Sequence, residues 1–326
     1  MGAVLVTGGA GYVGSRLVRQ LIEAGHDTVV LDNFTYGREG LDGVRDHPRL
    51  RLVEGDICDL RDLSLALRGV TRVIALAAIV GDPACALDEG MTRDVNYEST
   101  KVLVELCNRA KVERLVFASS CSVYGAHDDL VLNEGSRLHP QSLYAVTRIM
   151  SEEVIRARSD RATSPVILRL ASLYGWSYRP RFDLAVNILT AKAKLDRRFE
   201  IHDARLWRPF LHVADAAAAF MAFATAPDAG VGGETFNVGL DAGNMTIGQL
   251  GEHVSKRFPE AERVDRETSA DPRNYRVSFD KLHATIPDIA LARTVGEGID
   301  ELAREVDRPG FDYRDDRHYN VKYLYR

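Results

Sequence analysis

The stretch AVLVTGGAGYVGSRLV, residues 3–18, decides how the rest of the chain is read. AVLVTG (3–8) is an apolar, β-branched run that reads as a buried strand, and residues 12–24 read as a helix stopped by Gly25. Between them Gly8, Gly11 and Gly14 recur at three-residue spacing. Such spacing is common in turns, but here it joins a strand to a helix, and Asp32 ends the next strand 18 residues after Gly14. In that setting glycines let the backbone approach a pyrophosphate, amides at the helix start point at its charge, and the acid accepts hydrogen bonds from an adenosine ribose. A carboxylate at position 32 repels a 2′-phosphate, so the pattern points to NAD rather than NADP. Asp56, in EGDI after the third strand, is placed to accept from an adenine amino group.

Outward from this stretch, apolar runs and helical segments alternate. TVVLD (28–32), RLVEGD (51–56), RVIALAA (72–78), RLVFASS (114–120) and PVILRLA (165–171) read as further strands, with helices near 60–68, 91–110 and 142–158. Near-continuous apolar strands separated by helices predict an α/β, Rossmann-type doubly wound parallel sheet, buried on both faces. Beyond 172 the pattern changes, with helices expected at 182–198 and 246–258 and a buried helix at AFMAFATA (219–226). The expected organisation is an NAD-binding domain of residues 1–170, to which roughly 205–240 returns, and a smaller C-terminal α/β substrate-binding domain of 171–204 and 241–326.

Composition sets the limits. With 326 residues, 45% of them hydrophobic, the chain buries a substantial core, and its net charge of −5 offers no general attraction to nucleic acid or an anionic membrane. The four cysteines (Cys58, Cys85, Cys107, Cys121) show no CxxC pair or zinc spacing and read as reduced packing thiols. The nine histidines form no HxH or HExxH pattern, so no metal is expected. The apolar opening lacks a basic leader and is broken by glycines, and no run approaches the ~18 apolar residues of a membrane helix. A cytoplasmic protein is expected.

The chain resembles an extended short-chain dehydrogenase/reductase, more narrowly the NAD-dependent nucleotide-sugar epimerase/dehydratase family and its UDP-glucose 4-epimerase-like members. The residues carrying the resemblance are TGGAGYVG (7–14), DN (32–33), GDI (55–57), LAA (76–78), Asn96, SSCSVYG (119–125), PQSLYAVTR (140–148) and RPFLHVADAA (208–217). Weaker matches are RLASLYG (169–175) and DPRNYRVSFDK (271–281). The resemblance implies NAD contacts at Gly8, Gly11, Tyr12, Val13, Gly14, Asp32, Asn33, Asp56, Ile57, Leu76, Ala77, Ala78 and Asn96. It also implies a homodimer formed through the helices near 91–110 and 142–158.

In this family a tyrosine accepts the proton of a sugar hydroxyl, and a lysine four residues later holds the nicotinamide ribose and favours the phenolate. Tyr144 matches the tyrosine, but Arg148 stands where the lysine is expected. Residues i and i+4 share a helix face, so Arg148 lies one turn beyond Tyr144. Two readings stay open: the guanidinium replaces the ammonium with differently aimed donors, or catalysis is lost and an NAD-binding protein remains. Ser120 matches the hydroxyl that bonds the reacting oxygen. The 4,6-dehydratases of the family carry Asp-Glu in the next two positions, where this chain has Cys121 and Ser122. That difference favours 4-epimerisation through a transient 4-ketone, ahead of a ketosugar reductase or an atypical dehydratase.

On the substrate side, the resemblance assigns Arg208 to the diphosphate of a nucleotide-diphosphate sugar, with Arg273 or Arg276 as a second cation and Asn187 near phosphate or sugar. Ser172 replaces an asparagine common in the family's version of 169–175. The loop 79–90, with Asp82 and Cys85, is expected to border the sugar.

Overall fold

Val4 and Val6 of β1 (Ala3–Thr7) turn to one face of a sheet and Leu5 to the other, all three fully buried. This is why the strand is apolar throughout instead of alternating. The computed structural model describes residues 2–160, 162–267 and 273–324, the side chains of 127–130 excepted. In it β1, β2 (Thr28–Asp32), β3 (Leu50–Glu54), β4 (Val70–Ala75) and β5 (Arg114–Ser120) join strands Ser164–Leu170 and Thr235–Val238 in one parallel sheet. The seven strands run in the order Thr235–Val238, Ser164–Leu170, β5, β4, β1, β2, β3. The six strands expected from sequence are all present, and Thr235–Val238 adds a seventh. Strand order reverses at β1 and β4, so the crevice beyond their carboxyl ends is where ligands of such sheets bind.

Helix α1 (Gly14–Glu23) and helix Val213–Thr225 cover one face, bringing Leu17, Val18, Leu21, Phe220 and Phe223 into a shared core. Helix α2 (Leu60–Ala66) and helices Ser99–Ala110 and Leu143–Arg158 cover the other, through Leu63, Leu103, Val104 and Ile155. Three boundaries differ from expectation. Residues 8–13 form the turn itself, so α1 begins at Gly14. The helix expected over 91–110 contains a π turn at Asp94–Glu98, where the Asn96 carbonyl accepts from the Ser151 and Thr100 hydroxyls. The segment 182–198 is helical only over Ala185–Ala191, continuing into a π turn at Lys192–Asp196, because Asp183 is drawn into an ion pair with Arg181 ahead of it. AFMAFATA lies in a longer helix that starts at Val213, where the His212 ring accepts from the Ala214 amide.

A second core of Phe199, Phe210, Leu250, Ile299 and Leu302 lies beyond the carboxyl edge of the sheet. Around it strand Trp207–His212 pairs with Ser172–Tyr174 and Asn244–Thr246, and Arg198–His202 pairs with Glu262–Arg266. We propose two domains at the tertiary level, with strand Trp207–His212, expected in the first, bringing Phe210 into the second core, and with one crossing back. Strand Asn274–Val277 pairs with Ala126–Leu132, and Tyr275, Val277 and Phe279 pack into the first core.

Candidate active site

The two cores leave between them a cleft of about 920 Å³, whose wall includes Gly8, Asp32, Ser120, Tyr144, Arg148 and Arg208. At its floor Gly8 has φ +73°, and a Cβ there would stand 2.9 Å from the Ala77 backbone; a Cβ on Gly14 would strike the Gly8 carbonyl. These two positions need glycine. The Ser15 amide donates to the Gly11 carbonyl, so the amides of Tyr12, Val13 and Gly14 precede the first intrahelical bond and lie along the cleft.

Along the adenosine side, Asp32 accepts from the Ala10 amide at 2.9 Å and the Phe34 amide at 2.8 Å. Burial pushes its carboxyl above the ordinary range while these amides pull it back. Asn33 donates to Asp56 at 3.0 Å, bringing the ends of β2 and β3 together beside Ile57 and Cys58. Cys58 is therefore exposed at the cleft edge and not a packing thiol, unlike buried Cys85, Cys107 and Cys121. Leu76, Ala77 and Ala78 form the opposite wall, Ala77 held by a 3.3 Å bond from its amide to the Thr7 hydroxyl.

Two expected contacts are corrected. Asn96 is buried away from the cleft wall, accepting from the Ile79 amide at 2.8 Å and donating to its carbonyl at 2.9 Å. It shapes the loop after β4. Asn187 is likewise buried, binding both backbone groups of Gly175 and the Arg181 carbonyl at 2.9, 3.1 and 2.8 Å. It braces a loop of the second lobe. Tyr12 lines the cleft, but its hydroxyl donates to the Gly175 carbonyl at 2.6 Å, tying the glycine loop to that lobe.

The candidate catalytic groups converge. Tyr144 lies in the first turn of helix Leu143–Arg158, which Ser142 caps by accepting from the Ala145 amide. Arg148, one turn on, is 2% exposed and its guanidinium centre is 5.1 Å from the Tyr144 ring centre. Its Nη1 donates to the Ala118 carbonyl at 3.1 Å, while Nε and Nη2 are buried with no hydrogen-bond partner. Ser120, at the tip of β5, lines the same cleft and accepts from the Ser122 amide. Beneath it Ser119 donates to Glu152 at 2.6 Å, and Arg169 grips Glu152 with bonds of 3.0 and 2.7 Å. Cys121 is fully buried, its thiol donating to the Arg169 carbonyl, and burial pushes its ionisation far above the ordinary thiol range.

On the far side, Ser172, Arg208 and Arg273 line the cleft. Arg208 donates to the Trp207 carbonyl at 2.8 Å, and Arg273 stands 3.5 Å from Asp82, which comes from the loop after β4. Arg276 lies over the Trp207 ring and off the cleft wall. Sequence reasoning missed Arg179, which lines the cleft over the Tyr36 ring; its signal is the paired arginines of RPRFD in an otherwise apolar segment. Among the described residues no group of three or more His, Cys, Asp or Glu is placed to hold a metal ion, and no helix is long and apolar enough to cross a membrane.

A glycine turn beneath a cleft that also holds a Tyr-x-x-x-Arg pair is the arrangement of a dinucleotide-binding protein of the Rossmann class. Residues 4–239 match the profile of the NAD dependent epimerase/dehydratase family, and the chain belongs to that family. It is 30% identical to a putative UDP-glucose 4-epimerase of Methanocaldococcus jannaschii over 222 residues, 66% of this chain and 71% of that one. It is 28% identical to a dTDP-D-glucose 4,6-dehydratase of Mus musculus over 265 residues, 79% of this chain and 73% of that one. Among solved structures, MoeE5 in complex with UDP-glucose and NAD is similar with a TM-score of 0.79 at 28% identity, over 93% of this chain and 98% of that chain. The cofactor is NAD. The described residues fit it: Gly8 and Gly14 bring the backbone too close to Ala77 and to itself for a side chain, which leaves the amides of residues 12–14 along the cleft, and Arg148 holds two buried donors that no described group satisfies.

Proposed function

We propose that the chain is an NAD-dependent nucleotide-sugar 4-epimerase. When bound, NAD would supply a reversible hydride acceptor for C4 of the sugar, the chemistry by which a 4-epimerase inverts that centre with no net redox change. The protein's own residues meet the remaining needs. Tyr144 takes and returns the C4 hydroxyl proton, and Ser120 steadies the same oxygen. Arg148 sets a fixed positive charge behind Tyr144 and would offer Nε and Nη2 to the nicotinamide ribose. Arg208 and Arg273 hold the diphosphate, and Ser172 faces the sugar.

The observation that carries the reading is the pair following Ser120. Elimination of water across C5 and C6 needs an acid and a base there. Cys121 is sealed in the core on a backbone carbonyl, and Ser122 carries no charge. Incubation with UDP-, dTDP-, GDP- and CDP-sugars in D₂O, followed by NMR, tests it. Inversion at C4 without deuterium uptake is expected; loss of water or deuterium at C5 identifies a dehydratase instead. We also propose a homodimer through the helices near 91–110 and 142–158, whose partners within one chain already pack together at Ser99–Ala110 and Leu143–Arg158. Light scattering should give twice the 36.1 kDa of one chain, and a monomeric mass contradicts this assembly.

A further inference from the structure

The segment from Gly175 to Asp183 is stapled to the glycine loop. Tyr12 donates to the Gly175 carbonyl at 2.6 Å, the Ser177 hydroxyl donates to the Tyr12 carbonyl at 2.5 Å, and the Ser177 and Ser15 hydroxyls lie 2.9 Å apart. The staple carries two arginines over the cofactor side of the cleft. Arg181 is satisfied there by Asp183, with bonds of 2.9 and 3.0 Å. Arg179 is not. It is 5% exposed, its Nε and Nη2 are buried with no hydrogen-bond partner among the described residues, and its guanidinium centre lies 4.5 Å from the centre of the Tyr36 ring.

A buried guanidinium without a carboxylate or carbonyl is costly, and a binding protein tolerates the cost where an anionic ligand removes it. Burial, then the neighbouring Arg181, press the Arg179 ionisation down to about 10, more than the charge of Asp183 restores. The amides of residues 12–14 lie at the same staple, ahead of the first intrahelical bond, where a helix start favours an anion. The substrate-side arginines, Arg208 and Arg273, come from other parts of the second lobe. We infer that Arg179 is the counter-charge of the NAD diphosphate, delivered from the second lobe across the glycine loop, so that the cofactor is held by both lobes. Glycine-loop amides take one side of the diphosphate and the Arg179 fork takes the other. This holds whichever reaction the enzyme performs, and it is tested without turnover.

Calorimetric titration of wild type, Arg179→Gln and Arg179→Lys with NAD, ADP-ribose, adenosine, UDP-glucose and UDP-glucuronic acid separates the outcomes. In Arg179→Gln, affinity for NAD and for ADP-ribose should fall together by at least about tenfold, with adenosine within about twofold of wild type and Arg179→Lys recovering part of the loss. In thermal melts, Arg179→Met without ligand should hold or raise its Tm, because an unpaired buried charge is gone, while the upward shift produced by NAD shrinks. Unchanged affinity for NAD and ADP-ribose overturns the inference. So does a loss confined to UDP-glucose or UDP-glucuronic acid, which would assign Arg179 to the sugar nucleotide, or an equal loss of adenosine, which would mean that the site had only lost its shape.

Discussion

A guanidinium is wider and flatter than an ammonium, and at position 148 the fold accommodates it by burial between the Phe117 and Tyr144 rings. One nitrogen is spent on the Ala118 carbonyl, and Nε and Nη2 keep their hydrogens for a ligand. An ammonium at this place would have three donors on one point instead of a fork. We expect Tyr144→Phe to abolish turnover while leaving NAD binding within about twofold, because the phenolic proton is needed for chemistry and not for the cofactor. Full activity in that variant would remove Tyr144 from the chemistry and put the proton acceptor elsewhere. Arg148→Met should lower kcat by about a hundredfold or more and weaken NAD, whereas Arg148→Lys should keep turnover within about tenfold. Steady-state kinetics with a parallel NAD titration check both. The same scale corrects Asn96 and Asn187, whose amides are used up on the backbone of Ile79, Gly175 and Arg181.

At the scale of elements, the tip of β5 carries Ser120 and is held from behind by the helix that carries Tyr144. Glu152 of that helix is fully buried and receives Ser119 of β5 and Arg169 of the neighbouring strand. Burial alone would raise its carboxyl, but Arg169 and the Ser119 hydroxyl hold it below the ordinary range, so the charge is present and matched. Removing one member of such a pair strands the other. Glu152→Ala should destabilise the fold by roughly 3–5 kcal/mol, read from urea unfolding. It should also reduce turnover, because Ser120 and Tyr144 lose their common brace. A change below about 1 kcal/mol would mean that Arg169 finds other acceptors, such as the Glu134 carbonyl at 3.3 Å.

At the scale of the whole molecule, the lobes are joined by a second tie behind the cleft. Glu301 of the second lobe accepts from Arg16 of α1 at 2.9 Å and from the Trp176 amide at 2.9 Å, and lies 2.8 Å from the His212 ring. Burial opposes its charge, yet the His212 and Trp176 hydrogen bonds hold its pKa down to about 2. A carboxyl lower in the folded state than in the unfolded one stabilises fully above about pH 4.5 and loses that contribution as pH falls toward 2. Across that window the wild type should lose roughly 1–2 kcal/mol more than Glu301→Gln, solvent screening of this partly exposed carboxyl included, measured by denaturant unfolding at each pH. Parallel pH curves for the two proteins would remove Glu301 from the account.

The strand-turn-helix at 3–18, the apolar strands and the order of motifs were readable in sequence because they depend on local spacing: three glycines, a terminal acid and a Tyr-x-x-x-Arg pair on one helix face. The NAD class and the parallel sheet follow from them. Long-range pairing was not readable. Thr235–Val238 is short and joins the sheet beside Ser164–Leu170 only through pairing across more than sixty residues. Asn96 and Asn187 match family positions, and only the folded backbone shows which groups consume their amides. Arg179 and Arg181 are two arginines of one pentapeptide. Tertiary structure pairs one with Asp183 and leaves Nε and Nη2 of the other buried with no hydrogen-bond partner among the described residues, because a charge acquires its meaning from what surrounds it once water has been excluded.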